Sequence, residues 1–240
     1  MKQTVAFLIY YIKIISKDKI TLLWSILFPL VLALLSYLPQ KDNFDTLNEK
    51  IMYLSIFWSF TLIMIFINGI GAQTSMIRQH GLLKTFYSIS GKKYPFLLSI
   101  IISQIIMGII AVTINTVVLG GIMNIISLKL FTNMLLYMIF VIPLTPAFLI
   151  IAFVPVKSES LSTIINITTI ILFFITGNTS NNFNGLEWIN PVYFFMKLSL
   201  FISGIHTTAW FPIVVIFPLY LIIGSICLFK LDINSKIQRT

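Results

Sequence analysis

Residues 94–128 read YPFLLSIIISQIIMGIIAVTINTVVLGGIMNIISL, without one Asp, Glu, Lys or Arg. A helix needs roughly 20 apolar residues to cross the hydrocarbon core of a bilayer. This run is long enough, and it carries no period-two alternation, so it does not read as a strand of an outer-membrane barrel. Within it Gln104, Gly108, Ala111 and Asn115 are spaced to fall on one stripe. Small and polar side chains on a stripe let membrane helices approach closely and hydrogen-bond across the contact. Helix packing is the favoured reading of that stripe, with substrate contact the alternative.

The same pattern repeats on both sides. Ile20–Leu38, Ile51–Ile77, Leu130–Val156, Ser160–Leu186 and Leu198–Phe229 are also free of charge. The whole chain of 240 residues is 58% hydrophobic and only 10% charged, with a mean hydropathy of +0.99. A soluble domain carries far more charge. The expectation is an all-α membrane protein of a single domain over 1–240. Its six transmembrane helices are placed at 20–38, 51–72, 95–119, 133–154, 160–176 and 209–229. The first is read as a retained span, because it is longer than a signal-peptide core and lacks a small-x-small cleavage site.

Charge orients these spans. With a cytoplasmic N-terminus, only Lys41, Lys50, Lys129 and Lys197 of the 16 basic residues fall outside. Asp42, Asp45, Glu49 and Glu187 fall outside too. This positive-inside bias implies a multi-pass protein with both termini in the cytoplasm. The net charge of +9 is thereby assigned to topology and lipid contact rather than to nucleic acid. The Ile, Lys and Asn richness points to an AT-rich bacterial genome and so to the bacterial cell membrane.

Between the spans lie three segments of interest. Residues 2–17 read as an interfacial helix: Lys2, Lys13 and Lys17 share a face with Ala6, opposite Leu8, Tyr11, Ile12 and Ile15. A plain basic anchor is the alternative. Residues 73–94 form the longest inner loop, with a short amphipathic helix expected near 82–89 and ending near Gly91. Residues 177–208 form an outer insertion: a polar, Gly-rich stretch up to Gly185, then an apolar stretch 192–203 too short to cross. The latter reads as re-entrant or lying at the outer leaflet. Pro29 should kink the first span, and Pro143 with Pro146 should bend or break the fourth. Ser158 is a candidate N-cap for the fifth.

Chemistry is scarce. The chain has no P-loop, no G-x-S-x-G and no H-E-x-x-H. His80 and His206 lie in different loops, and the single Cys227 can make no internal disulfide. No span holds an ionisable residue at its centre, as an ion-coupled transporter would. The most polar span is the fifth, where Ser162, Asn166 and Thr169 share a face. Together with Asn68 they are candidates to line a pathway, with helix packing an equal alternative. Energy for any transport must come from a partner.

In this order of parts the chain resembles the ABC-2-type permeases, the membrane subunits of certain ATP-driven exporters. Gln79-His80-Gly81-Leu82-Leu83-Lys84-Thr85-Phe86 is similar to their inner-loop signature E-x-G-T-L-x-x-L, with Gln79 where an acid is common and Leu82 where Thr is. Trp188-Ile189-Asn190-Pro191 is similar to the Asn-Pro element before their last span. The resemblance implies that residues 78–86 form a coupling helix seated in a cytosolic ATPase, with Leu82, Leu83 and Phe86 filling its groove and Arg78 and Lys84 pairing with its acids. It implies an elbow role for the interfacial helix and an outer gate at Glu187, Trp188, Asn190 and Pro191. It implies a second permease subunit, identical or not, an amphipathic cargo such as a peptide, lipid-like compound or drug, and ATP and Mg bound only by the partner. Peptide-toxin or antimicrobial-peptide export, or self-protection against such a peptide, is the cargo reading it suggests. A non-transporting immunity or assembly protein is the main alternative, and a membrane-embedded enzyme the remaining one.

Overall fold

Thr46 sets where the central helix begins. Its hydroxyl accepts the Glu49 N–H while the Glu49 carboxylate accepts the Thr46 N–H, a reciprocal capping box. Helix α3, Leu47–Phe66, therefore starts before the charge-free run does. In the computed structural model residues 2–17, 19–177, 186–205 and 210–232 are described, and they form only helices and turns. After α1 (Lys2–Lys17) and α2 (Lys19–Tyr37) comes α3, which passes through a wide turn, Ile67–Ala72, into α4 (Gln73–Gln79). Then follow α5 (Leu82–Ser90), α6 (Tyr94–Ile122), α7 (Leu128–Val141), α8 (Ser158–Gly177), α9 (Pro191–Ile202) and α10 (Trp210–Lys230).

Among the described residues six helical stretches are long and apolar enough to cross a membrane, as the charge-free runs imply. The second, Leu47–Gln79, has 33 residues, about 50 Å of helix against a core of roughly 30 Å. It is therefore longer than a perpendicular crossing needs. Residues 73–79, expected as loop, are the end of this rod. The wide turn Ile67–Ala72 makes i→i+5 bonds, and such π turns recur at functional sites.

Helix α3 is buried on nearly every side, by α2, α6, α8 and α9. The α6 stripe packs on it. Asn115 Nδ2 donates to Thr61 Oγ1 at 2.8 Å, both residues fully buried. A Cβ at Gly108 would stand 2.9 Å from a Leu62 methyl. The packing reading of Gly108, Ala111 and Asn115 holds, because absent side-chain bulk is what brings the two backbones together.

Pro143 and Pro146 end the α-helical part of the fourth crossing, as expected, without ending its apolar helical stretch. Past Val141 the chain tightens into a 3-10 helix, Ile142–Phe153. Proline cannot supply the N–H that an α-turn needs, and the change of pitch reroutes the ladder instead. Helix α10 lies along this segment, with Gly224 against Pro146 and Ala147. Ser158 is not an N-cap but the first residue of α8, and its N–H is taken by the Gln79 side chain.

Helix α9 is neither a span nor a surface helix. Val192, Phe194, Phe195 and Leu198 are buried, and it packs on α3, α7 and α8. Phe195 meets Phe148, and Phe194 stacks on Tyr220 at 5.1 Å. Protein packs over most of this segment, consistent with a helix inserted among the crossings rather than lying free on a surface. The polar stretch 178–185, His206 to 209, and the tail beyond Asp232 with Lys236 and Arg239 lie outside the described residues.

Candidate functional site

Two places bring together the polar and exposed groups that the packing does not consume. The first is one end of the bundle, where the α4–α5 turn, the turn before α8 and the end of α10 meet. The Gln79 amide oxygen accepts the Ser158 N–H at 2.8 Å, and its Nε2 donates to Val156 O at 2.7 Å. Lys93 Nζ donates to Phe229 O and Leu231 O, each at 2.7 Å. Burial pushes the Lys93 ammonium down from its usual range, and nearby Asp232 opposes that. Arg78 is only 7% exposed: it donates to Ala152 O and lies over the Phe153 ring. The expectation that Arg78 pairs with acids on a partner is corrected by that inward orientation.

Helix α5 hangs from this end between Gly81 and Gly91, whose φ values of 72° and 66° are left-handed. Glycine takes such angles without the Cβ penalty. Leu83, 1% exposed, points into the bundle. Phe86 stacks on Phe96 of α6, ring centroids 4.3 Å apart, and meets Phe7 of α1 edge-on at 5.5 Å. Leu83 and Phe86 thus hold the helix in place and are not free to fill a partner's groove. What α5 presents outward is Leu82, Lys84, Thr85, Tyr87 and Ile89, with Ile89 69% exposed. His80 is exposed, its Nδ1 bonded to Met76 O. Tyr87 and Ile89 escaped the sequence reading, although their helical spacing from Leu82 and Leu83 could have suggested them.

Helix α1 lies along α6. Lys2, Lys13 and Lys17 are exposed, while Tyr11 is buried and Phe7 and Ile15 partly so. Ile12 is exposed and does not pack against the bundle. The buried stripe runs through Phe7 and Tyr11 because the rings of Phe86 and Phe96 receive them there.

The second place is a cavity of about 340 Å³ bounded by α1, α2, the α3–α4 rod, α6 and α8. Of the expected pathway residues, Asn68, Ser162 and Asn166 are on its wall. Thr169 is not: it is buried, with its hydroxyl donating to Ile165 O. Asn68 Nδ2 donates to Met64 O at 2.9 Å and to Asn166 Oδ1 at 2.8 Å, joining the wide turn to α8. Gln73 and Gln104 complete a set of four carboxamides. Gln104 is the one member of the α6 stripe that reaches this wall, where the alternative reading of the stripe, contact with a bound molecule, applies. No Asp, Glu, Lys, Arg or His lines the cavity among the described residues.

The expected outer-gate residues cluster at the start of α9. Asn190 caps α9 by accepting the Val192 N–H, with Pro191 in the first turn. Its Nδ2 donates to Leu172 O and Thr176 Oγ1. Trp188 meets Tyr193 edge-on. The structure thus gives Asn190 the task of fastening α9 to α8.

No family model, curated protein or solved structure matches this chain.

Proposed function

We propose that the chain is the membrane-spanning permease of an ABC-2-type exporter, driven by a separate cytosolic ATPase and paired with a second permease subunit. The observation that carries the reading is α5. It is a short helix beyond the crossings, with exposed Leu82, Tyr87 and Ile89 outward and an aromatic stack inward onto α1 and α6. Apolar side chains presented at a membrane surface suit a protein partner. A push on α5 would pass through Phe86 to Phe7 and Phe96, and through the Gln79 clasp to α8. Those elements border the cavity, so work done at one end reaches its walls.

The end that carries α5 also carries Arg78, Lys84, Lys92, Lys93, Lys157 and Lys230, which supports a cytoplasmic assignment. ATP and Mg would be bound by the partner, and this chain would supply the path for an amphipathic cargo. The interfacial lysines of α1 would rest on anionic headgroups.

Co-expression with a P-loop ATPase of the ABC type, taken from the same genome, tests the reading. The expected result is co-purification in detergent that Ile89→Asp abolishes and that Leu128→Asp, at an exposed position on another element, leaves intact. A stable, well-folded protein that captures no ATPase favours the binding-only immunity or assembly role.

A further inference from the structure

Gln104 sits about 15 Å along α6, 8% exposed, on the cavity wall. Its carboxamide makes no hydrogen bond to a described residue. Its amide is on the cavity lining, where a bound molecule can reach it. Space has been made for it. A Cβ on Gly69 would lie 2.1 Å from Gln104 Oε1 and 2.2 Å from its Cδ, so only glycine at 69 lets the amide reach past the wide turn.

The neighbouring amides are oriented. Met64 O can only accept, so the Asn68 NH2 must face it, and Asn166 must turn its oxygen to the remaining Asn68 hydrogen. That leaves the Asn68 oxygen and the Asn166 NH2 without bonds among the described residues. The cavity therefore offers donors and acceptors in pairs and no charge. In a low-dielectric site an ionised ligand group would go uncompensated. The remaining wall includes Met64, Met76 and Met107, whose thioethers adapt to apolar bodies of varied shape.

We propose that this cavity binds the uncharged secondary amide of an apolar molecule, as in the backbone of a capped apolar peptide, and that Gln104 recognises it. A carboxamide presents an acceptor beside a donor and meets the N–H and C=O of a peptide unit at two points. That the ligand is cargo rests on the permease reading; that it binds does not.

The test is equilibrium binding of tritiated N-acetyl-trileucine amide to the purified full chain in lipid nanodiscs, with no ATPase present. Saturable binding at one site per chain is expected. Uncapped zwitterionic trileucine, and the analogue with ester linkages in place of the amides, should compete about tenfold less well, the effect of losing one or two buried hydrogen bonds or of burying charge. Gln104→Leu should weaken binding by at least about tenfold while leaving the thermal midpoint equal or higher, and Gln104→Met should do the same. Gly69→Ala should weaken it by displacing the carboxamide.

Absence of saturable binding (a cavity that holds only water) overturns the proposal. So does equal affinity for the zwitterion, full affinity in both Gln104 variants, or displacement by monoolein with no effect of the amide. Amide binding without capture of an ATPase sinks the permease reading and leaves the site. Capture without amide binding does the reverse.

Discussion

The side-chain amide of Gln79, at the end of α4, closes on Ser158, at the start of α8, across seventy-nine positions of sequence. Its oxygen accepts the Ser158 N–H and its nitrogen donates to Val156 O, so one side chain satisfies both edges of the turn. It does what a helix N-cap does, but from another helix. The long rod and α8 are thereby locked at the end of the bundle that carries α5.

Breaking that clasp should cost stability. Gln79→Leu removes both bonds and is expected to lower stability by about 2 kcal/mol, or the thermal midpoint by about 5 °C. Gln79→Glu keeps the bond to Ser158 but sets a carboxylate against the Val156 carbonyl. Its deficit should be present at neutral pH and shrink as pH falls through the carboxyl pKa, about 4.3 unperturbed, because the protonated acid can donate again. Melting curves of the two variants at pH 7 and pH 4 check both claims. A Gln79→Glu variant equal to the parent at pH 7 would dismiss the clasp.

Glycines in the rod should differ by what they face. A Cβ at Gly71 would stand 2.9 Å from the Phe148 backbone oxygen and 2.8 Å from Ile151. Backbone cannot step aside, so Gly71→Ala should destabilise by about 2–3 kcal/mol. At Gly108 the nearest atom is a movable Leu62 methyl, and Gly108→Ala should cost about 1 kcal/mol or less. Chemical denaturation in detergent ranks them, and the reverse order would contradict this packing.

Adjacent leucines on α5 should behave oppositely. Leu82 is 45% exposed and Leu83 is 1% exposed. Leu82→Asp should leave folding within about 0.5 kcal/mol and abolish ATPase capture. Leu83→Asp buries an unpaired charge and should yield aggregated or degraded protein. Size-exclusion profiles and pull-downs separate the two, and loss of folding in both would show that Leu82 is not a surface residue.

Phe86 links three helices through its ring contacts with Phe7 and Phe96. Phe86→Ala should cost about 2 kcal/mol, less than the ~3–5 of a wholly buried Phe, because the side chain is only partly buried. In the permease reading it should also lower cargo transport while sparing ATPase binding. Unimpaired transport by a complex lacking this ring would remove α1 and α6 from the route of the push.

Sidedness can be read directly. In a Cys227→Ser background, an impermeant maleimide applied to intact cells should label Asn43→Cys and spare Ser88→Cys. Both positions are exposed. Labelling of Ser88→Cys alone would invert the molecule and end the coupling argument.

Six crossings, the short helix after Gly81, its end at Gly91 and the α6 stripe were all legible in the sequence. Each depends on a local quantity: summed apolarity over about 20 residues, or glycine's tolerance of positive φ. The wide turn at Ile67–Ala72, the inward Arg78 and Leu83, the burial of α9 and the cavity around Gln104 were not. In a bilayer an apolar side chain is equally at home against lipid or protein, so hydropathy does not tell an inner face from an outer one. Leu82 and Leu83 are the same residue one step apart, and only the Phe7–Phe86–Phe96 stack decides which of them turns inward. Packing is the favoured reading of Gln104 until Gly69 is seen across from it. Composition committed this chain to the membrane, whereas which side chain meets which was decided by helices brought together from far apart in sequence.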